Sequence, residues 1–247
     1  MNHYNLSFIS DKDLFNHVKE TVEKYRFKID LKKFNKNLID PIKLTFDSKI
    51  YNKSIEEIVE SEIIRQMDKS NTNYIGYFHQ NIFKYMNSNW KVPKEGFDLI
   101  NEEEKTYVEM KNKHNTMNSS SSQKTYIKMQ GMLLKNANNR CYLVEVIAKN
   151  SQNVPWKISL DGNSHEHEYI RRVSIDKFYD LVTGERNAFK NLSEVLPSVL
   201  EDVVASMNQA SIENTVFEEL STISPNLLKS LYLLSFNKYN GFDSFNL

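Results

Sequence analysis

The chain has 247 residues, 40% hydrophobic and 12% aromatic, enough to fill the core of one large domain or two small ones, and its single cysteine excludes a disulfide framework or a cysteine-rich zinc site. No run of about 18 apolar residues is present, and the opening MNHYNLSFISDKD lacks the basic start and apolar stretch of a secretion signal, so a soluble, cytoplasmic protein is expected. Net charge is zero but uneven: residues 1–104 hold 16 Lys+Arg against 17 Asp+Glu, 105–177 hold 12 against 6, and 178–247 hold 4 against 9, so the middle segment is either a docking face for a polyanion or a basic solvated surface.

Ser10 with Asp13 is a helix-capping pattern, and Leu14, Val18, Val22 and Tyr25 follow at helical spacing. Asp40-Pro41 separates that segment from the next. Ser54 with Glu57 forms a capping box for a helix expected to run to about Lys69. A second helix is predicted over 74–86, with Ile75, Phe78, Ile82 and Met86 on one face. Residues 96–100 and 106–110 read as the strands of a hairpin, 112–122 as a polar loop, and Ser122 as the cap of a helix through Leu134. The run 140–148 is an apolar strand, and 157–160 and 165–173 flank a hairpin turn at Asp161-Gly162-Asn163. Ser174 caps a short helix that stops at Thr183-Gly184, and helices are expected over about 192–207 and 225–239. With no repeat and no clear linker, the expectation is a single α/β or α+β domain over 1–247. Residues 1–53 would form its N-terminal helical region, residues 54–184 its centre and residues 185–247 its C-terminal helical region.

The chemistry concentrates at the hairpin. In a strand starting at Thr106, Tyr107, Glu109 and Lys111 share one face, while Val108 and Met110 take the other. Asp98, between Phe97 and Leu99, comes close to Glu109 if the strands pair across 102–104. Two neighbouring carboxylates repel and raise a pKa; a divalent cation removes that cost. Magnesium takes oxygen ligands, keeps waters and suits phosphate substrates. Lys111 is then placed to orient the attacking water and stabilise charge on the phosphate. The competing reading is an exposed hairpin with Glu109 and Lys111 as a surface pair, which leaves Asp98 unexplained. On the helix after Ser54, Ile55, Ile58, Val59 and Ile63 define an apolar face with Glu62 and Gln66 at its centre. A carboxylate there costs free energy unless paired, so Glu62 either pairs with Arg65 or a backbone donor, or completes the acidic site.

Asp98, Glu109 and Lys111 match the PD-(D/E)xK nuclease pattern, with Phe97 where the pattern has proline. The longer strings YIGYFHQNIFKYM (74–86), GFDLI (96–100), YVEMKNKHNTMNSSSS (107–122) and RRVSIDKFYDLVTG (171–184) resemble the type II restriction endonucleases that cut GGNCC or GGWCC. The resemblance covers about 50–207. It implies a mixed central sheet flanked by helices, with catalytic core and DNA-reading region in 54–184. It implies Mg2+ held by Asp98, Glu109 and Met110, with Glu62 as a further acid. It also implies a homodimer that cuts double-stranded DNA in a short palindrome, leaves 5′-phosphate ends, and has a cognate DNA methyltransferase acting on the same site.

Lys113, His114 and Asn115 follow the catalytic strand and are expected to approach phosphates. His165, His167, Tyr169 and Arg171 are read as one strand face, opposite Glu166, Glu168 and Arg172. Arg171 and Arg172 are the candidate readers, since one arginine fork matches the two major-groove acceptors of guanine. Cys141, Trp90 and Trp156 read as packing residues. The other readings are a structure-specific or repair nuclease of the same fold, or a non-catalytic DNA-binding module.

Overall fold

The structure, a computed structural model, describes residues 3–25, 27–86, 89–114, 116–207, 213–239, 242 and 245. In chain order its elements begin with α1 (Asp11–Glu23), β1 (Lys28–Ile29), α2 (Leu31–Phe34), α3 (Pro41–Ile50), α4 (Ile55–Asn81), β2 (Trp90–Lys91), β3 (Leu99–Asn101) and β4 (Thr106–Lys113). They continue with α5 (Ser119–Lys135), β5 (Arg140–Ile147), β6 (Asn153–Pro155), β7 (Ile158–Leu160), β8 (Asn163–His165) and β9 (Ile170–Ser174). The last are α6 (Ile175–Thr183), α7 (Ala188–Ser206), β10 (Glu213–Asn214), α8 (Val216–Ile223) and α9 (Leu227–Phe236). Among the described residues no helix is long and apolar enough to cross a membrane.

Caps set several of these starts. Ser10 Oγ accepts the Asp13 N–H at 3.1 Å. Ser54 and Glu57 exchange bonds reciprocally, the Ser54 N–H to Glu57 Oε2 at 2.8 Å and the Glu57 N–H to Ser54 Oγ at 3.2 Å. α5 starts earlier than expected because Asn118, not Ser122, caps it, its Oδ1 accepting the Ser121 N–H at 2.8 Å. α4 is one helix where two were expected. The polar run 70–73 lowers helix propensity by only tenths of a kcal/mol per residue and holds no proline or glycine, and the Ser70 hydroxyl bonds back to the Gln66 carbonyl. Gly184 ends α6 in the left-handed region at φ 73°.

The chain divides into two compact units, residues 1–23 with 75–208 and residues 24–74 with 209–247. The division follows neither 1–53 nor 185–247, because the pairings that build each unit join residues far apart in sequence. In the second unit β1 pairs in parallel with β10, Lys28 opposite Glu213. Its core gathers Ile29, Phe34, Leu44, Ile58, Val59 and Ile63 with Val216, Leu220 and Leu231.

The first unit is built on a six-stranded mixed sheet ordered β2-β3-β4-β5-β9-β6. The centre is parallel, β4 to β5 to β9, and the edges are antiparallel. Alternation along the strands separates two apolar layers. Leu99, Val108, Met110, Tyr142, Val144 and Val173 pack with residues of α1, α6 and α7. Phe97, Cys141, Leu143 and Ile170 pack with Tyr126 and Met129 of α5 and with Trp156. Burial pushes the Cys141 thiol up to about 12, so it is an inert core residue, and both tryptophans are buried.

Candidate active site

Register places the acids. Leu99 lies opposite Val108 and Ile100 opposite Tyr107, so Asp98, one residue earlier, comes opposite Glu109. The Asp98 N–H donates to the Val108 carbonyl at 2.9 Å. The Met110 N–H donates to Asp98 Oδ2 at 2.7 Å. The aspartate side chain thereby takes the place of a ladder carbonyl just before β3 begins. Thr106, Val108 and Met110 are buried while Tyr107, Glu109 and Lys111 are half-buried, the alternation expected from the sequence.

Burial is the main reason the Asp98 carboxyl sits above its ordinary value of 3.8; the Met110 N–H opposes the rise and the Glu109 charge adds to it. Glu109 is also penalised by burial, yet it falls below its ordinary 4.5 because two ammonium groups hold it. Lys111 Nζ donates to Oε1 at 2.8 Å and Lys128 Nζ donates to Oε2 at 2.9 Å. Two adjacent carboxyls are thus pushed apart in proton affinity, as at sites that handle protons or metals. The Met110 side chain is buried in the layer on the other face, so of this residue only the main-chain carbonyl can offer an oxygen to an ion. Two carboxylates and a carbonyl are a donor set that suits magnesium, which uses one or two carboxylates and keeps several waters. Among the described residues no group of three or more His, Cys, Asp or Glu is arranged to hold a metal.

Two residues of this face carried no expectation from sequence. Lys128, on α5, also donates to the Gly96 carbonyl at 2.7 Å and lies 4.1 Å from the Phe97 ring centroid. Glu145, on β5, stands opposite Lys111 in the parallel pairing and is 1% exposed. Its Oε1 accepts from Arg172 Nη2 at 2.6 Å and Nε at 3.1 Å, and both its oxygens are 3.1 Å from His114 Nδ1. The available signal for Glu145 was a lone acid between Val144 and Val146. Lys128 had none, since its partners lie on other elements.

The expected DNA readers are occupied. Arg172 is held by Glu145, with its guanidinium carbon 6.0 Å from the Trp156 ring. Arg171 donates to the side chain and carbonyl of Asn153 and to the Glu168 carbonyl. Lys113 is exposed at the end of β4, the His114 N–H bonds to the Ile147 carbonyl, and Asn115 lies outside the described residues. The strand face expected for His165, His167, Tyr169 and Arg171 does not form. β8 ends at His165 and β9 begins at Ile170. Between them the Ile170 N–H bonds to the His167 carbonyl and the Tyr169 N–H to His167 Nδ1, making a turn.

Asp98, Glu109 and Lys111 come together in the first unit. Glu62 belongs to the second. Arg65 donates to both of its oxygens at 2.6 Å, and Gln66 Nε2 donates at 3.0 Å. Burial raises the Glu62 carboxyl, but these donors outweigh it and leave it lowered.

In the first unit, a mixed sheet flanked by helices thus carries a hairpin that unites two carboxylates and a lysine. Residues 6–205 match the family described as Eco47II restriction endonuclease. The type II restriction enzyme Sau96I of Staphylococcus aureus is 35% identical over 210 residues, 80% of each chain. The type II restriction enzyme Eco47II of Escherichia coli is 32% identical over 214 residues, 81% of this chain and 88% of that enzyme. The chain belongs to the Eco47II restriction endonuclease family and is a sequence-specific restriction endonuclease.

Proposed function

We propose that this enzyme hydrolyses phosphodiester bonds of duplex DNA within a short GGNCC-like palindrome, with Mg2+, leaving 5′-phosphate ends. The observation that carries the reading is the Asp98–Glu109 pair, driven apart in proton affinity, with Lys111 bonded to it. We assign the mixed sheet to the PD-(D/E)xK core. Asp98, Glu109 and the Met110 carbonyl would hold the ion, which when bound polarises a phosphate and acidifies a water. The chain's own groups do the rest. The Met110 N–H fixes the Asp98 carboxylate. Lys111, anchored by Glu109, keeps an ammonium where charge develops on the phosphate. For Glu62, the bidentate Arg65 pair favours an ion-pair role over a metal role.

Lys113, His114 and Asn115 are proposed as phosphate contacts and Arg171 and Arg172 as guanine readers. Arg171 reads only after exchanging Asn153, and Arg172 only after exchanging Glu145. A palindrome shows both strands the same pattern, so a two-fold homodimer with one site per strand is the economical assembly. A methyltransferase acting on the same sequence would protect the host DNA, with no contact implied, and the setting is the cytoplasm. The test is digestion of a plasmid of known sequence with magnesium, followed by end sequencing. Discrete 5′-phosphorylated ends at one recurring palindrome are expected. Ends confined to branched or mismatched sites, or no ends at all, would overturn the proposal.

A further inference from the structure

Lys128 contributes to the candidate site without belonging to the D-(x10)-E-x-K constellation. An ammonium group has three N–H bonds. Lys128 directs Nζ at Glu109 Oε2 at 2.9 Å, at the Gly96 carbonyl at 2.7 Å, and over the Phe97 ring at 4.1 Å. The group is therefore held in place rather than extended into water. It ties α5 to both sides of the hairpin, to the approach to Asp98 and to Glu109 itself.

The charge count gives this clamp a role. Asp98 and Glu109 bring two negative charges, and Lys111 and Lys128 bring two positive ones. The Glu109 side chain is only 15% exposed, and an ammonium holds each of its oxygens. For Oε2 to accept a divalent cation, Lys128 must let go. Once it does, the partly exposed Lys128 ammonium is free to take water or a new anion, and a DNA phosphate is the anion that substrate brings.

The geometry points to Lys128 as a positioning residue that occupies Oε2 of Glu109 in the free enzyme and makes metal uptake depend on bound DNA. This rests on the metal-site reading above. Lys128 stands in for the ion on Glu109 in the free protein and exchanges that carboxylate for phosphate when substrate arrives. The bare enzyme then holds metal weakly.

The test is direct Mn2+ binding, by electron paramagnetic resonance, to the protein without DNA and with an uncleavable duplex. Lys128→Met keeps the apolar stem and removes the charge. It should bind Mn2+ at least tenfold more tightly than wild type in the absence of DNA and gain little more when the duplex is added. Lys128→Arg, which restores the cation, should return towards the weak, DNA-dependent pattern. Circular dichroism identifies any variant that has not folded, and Lys128→Gln then takes its place. Unchanged or weaker metal binding by the folded neutral variants would overturn the role, since a purely structural clamp does not compete with the ion. Glu109→Gln separates the two failures. If it binds Mn2+ as well as wild type does with the duplex present, the metal-site reading has failed and this inference falls with it.

Discussion

The two carboxylates at the hairpin should respond oppositely when their charge is removed. Glu109 accepts two charge-assisted hydrogen bonds, each worth about 1.5–3 kcal/mol when well shielded. Its lysine partners are 28% and 35% exposed, so they regain water when released. The glutamine of Glu109→Gln also keeps one acceptor. A net loss of about 2 kcal/mol follows, a fall in Tm of roughly 4–8 °C for a chain of this size. Asp98→Asn removes a buried charge repelled by Glu109, while its amide oxygen still accepts the Met110 N–H, so metal-free stability should hold or rise. The pH dependence has opposite signs as well. Glu109 has a lowered pKa, so its contribution is full above its ordinary 4.5 and is lost only as pH falls through the lower folded value. Asp98 has a raised pKa, so relative stability is present below 3.8 and is lost as pH rises through the folded value; the gain from Asp98→Asn is complete at neutral pH. Thermal melts in EDTA from pH 3 to 8 measure both. Equal destabilisation by the two substitutions at pH 7 would refute the electrostatic reasoning.

Other substitutions test the surroundings of the site. Glu145→Gln strands Arg172 against a buried face and should cost about 3 kcal/mol in urea denaturation; a loss below about 0.5 kcal/mol would contradict the buried pairing. Glu62→Gln should cost no more than about 1 kcal/mol, because Arg65 is 60% exposed, while specific activity survives; strong loss of rate at unchanged Tm would return Glu62 to the acidic site. Arg171→Ala and Arg172→Ala, measured with calcium on specific and random duplexes, should each lose about 1–3 kcal/mol of discrimination. A uniform loss on all sequences would make them phosphate contacts.

The sequence was most readable where chemistry and local geometry coincide. The alternation Tyr107, Glu109, Lys111 and the turn before Lys105 place Asp98 against Glu109 with no tertiary information, and the Ser54–Glu57 box marks the start of α4. Long-range partnership was not readable. Lys128 reaches Glu109 from a separate helix, Glu145 acquires Arg172 only through parallel register, and β1 finds β10 across most of the chain. Short edge strands were also missed, because two or three residues such as Trp90–Lys91 or Asn153–Pro155 carry no periodicity. The 165–173 strand was overread: only Ile170–Ser174 joins the sheet, and backbone bonds at His167 turn the chain before Ile170.

The claim that Asp98, Glu109 and Lys111 form the cleavage site is tested most directly by single-turnover cleavage of a bound specific duplex, started with magnesium. Asp98→Ala, Glu109→Ala and Lys111→Ala should each retain their fold and lower the rate roughly a thousandfold, several kcal/mol of transition-state stabilisation. Near-normal rates from any of the three would contradict the assignment.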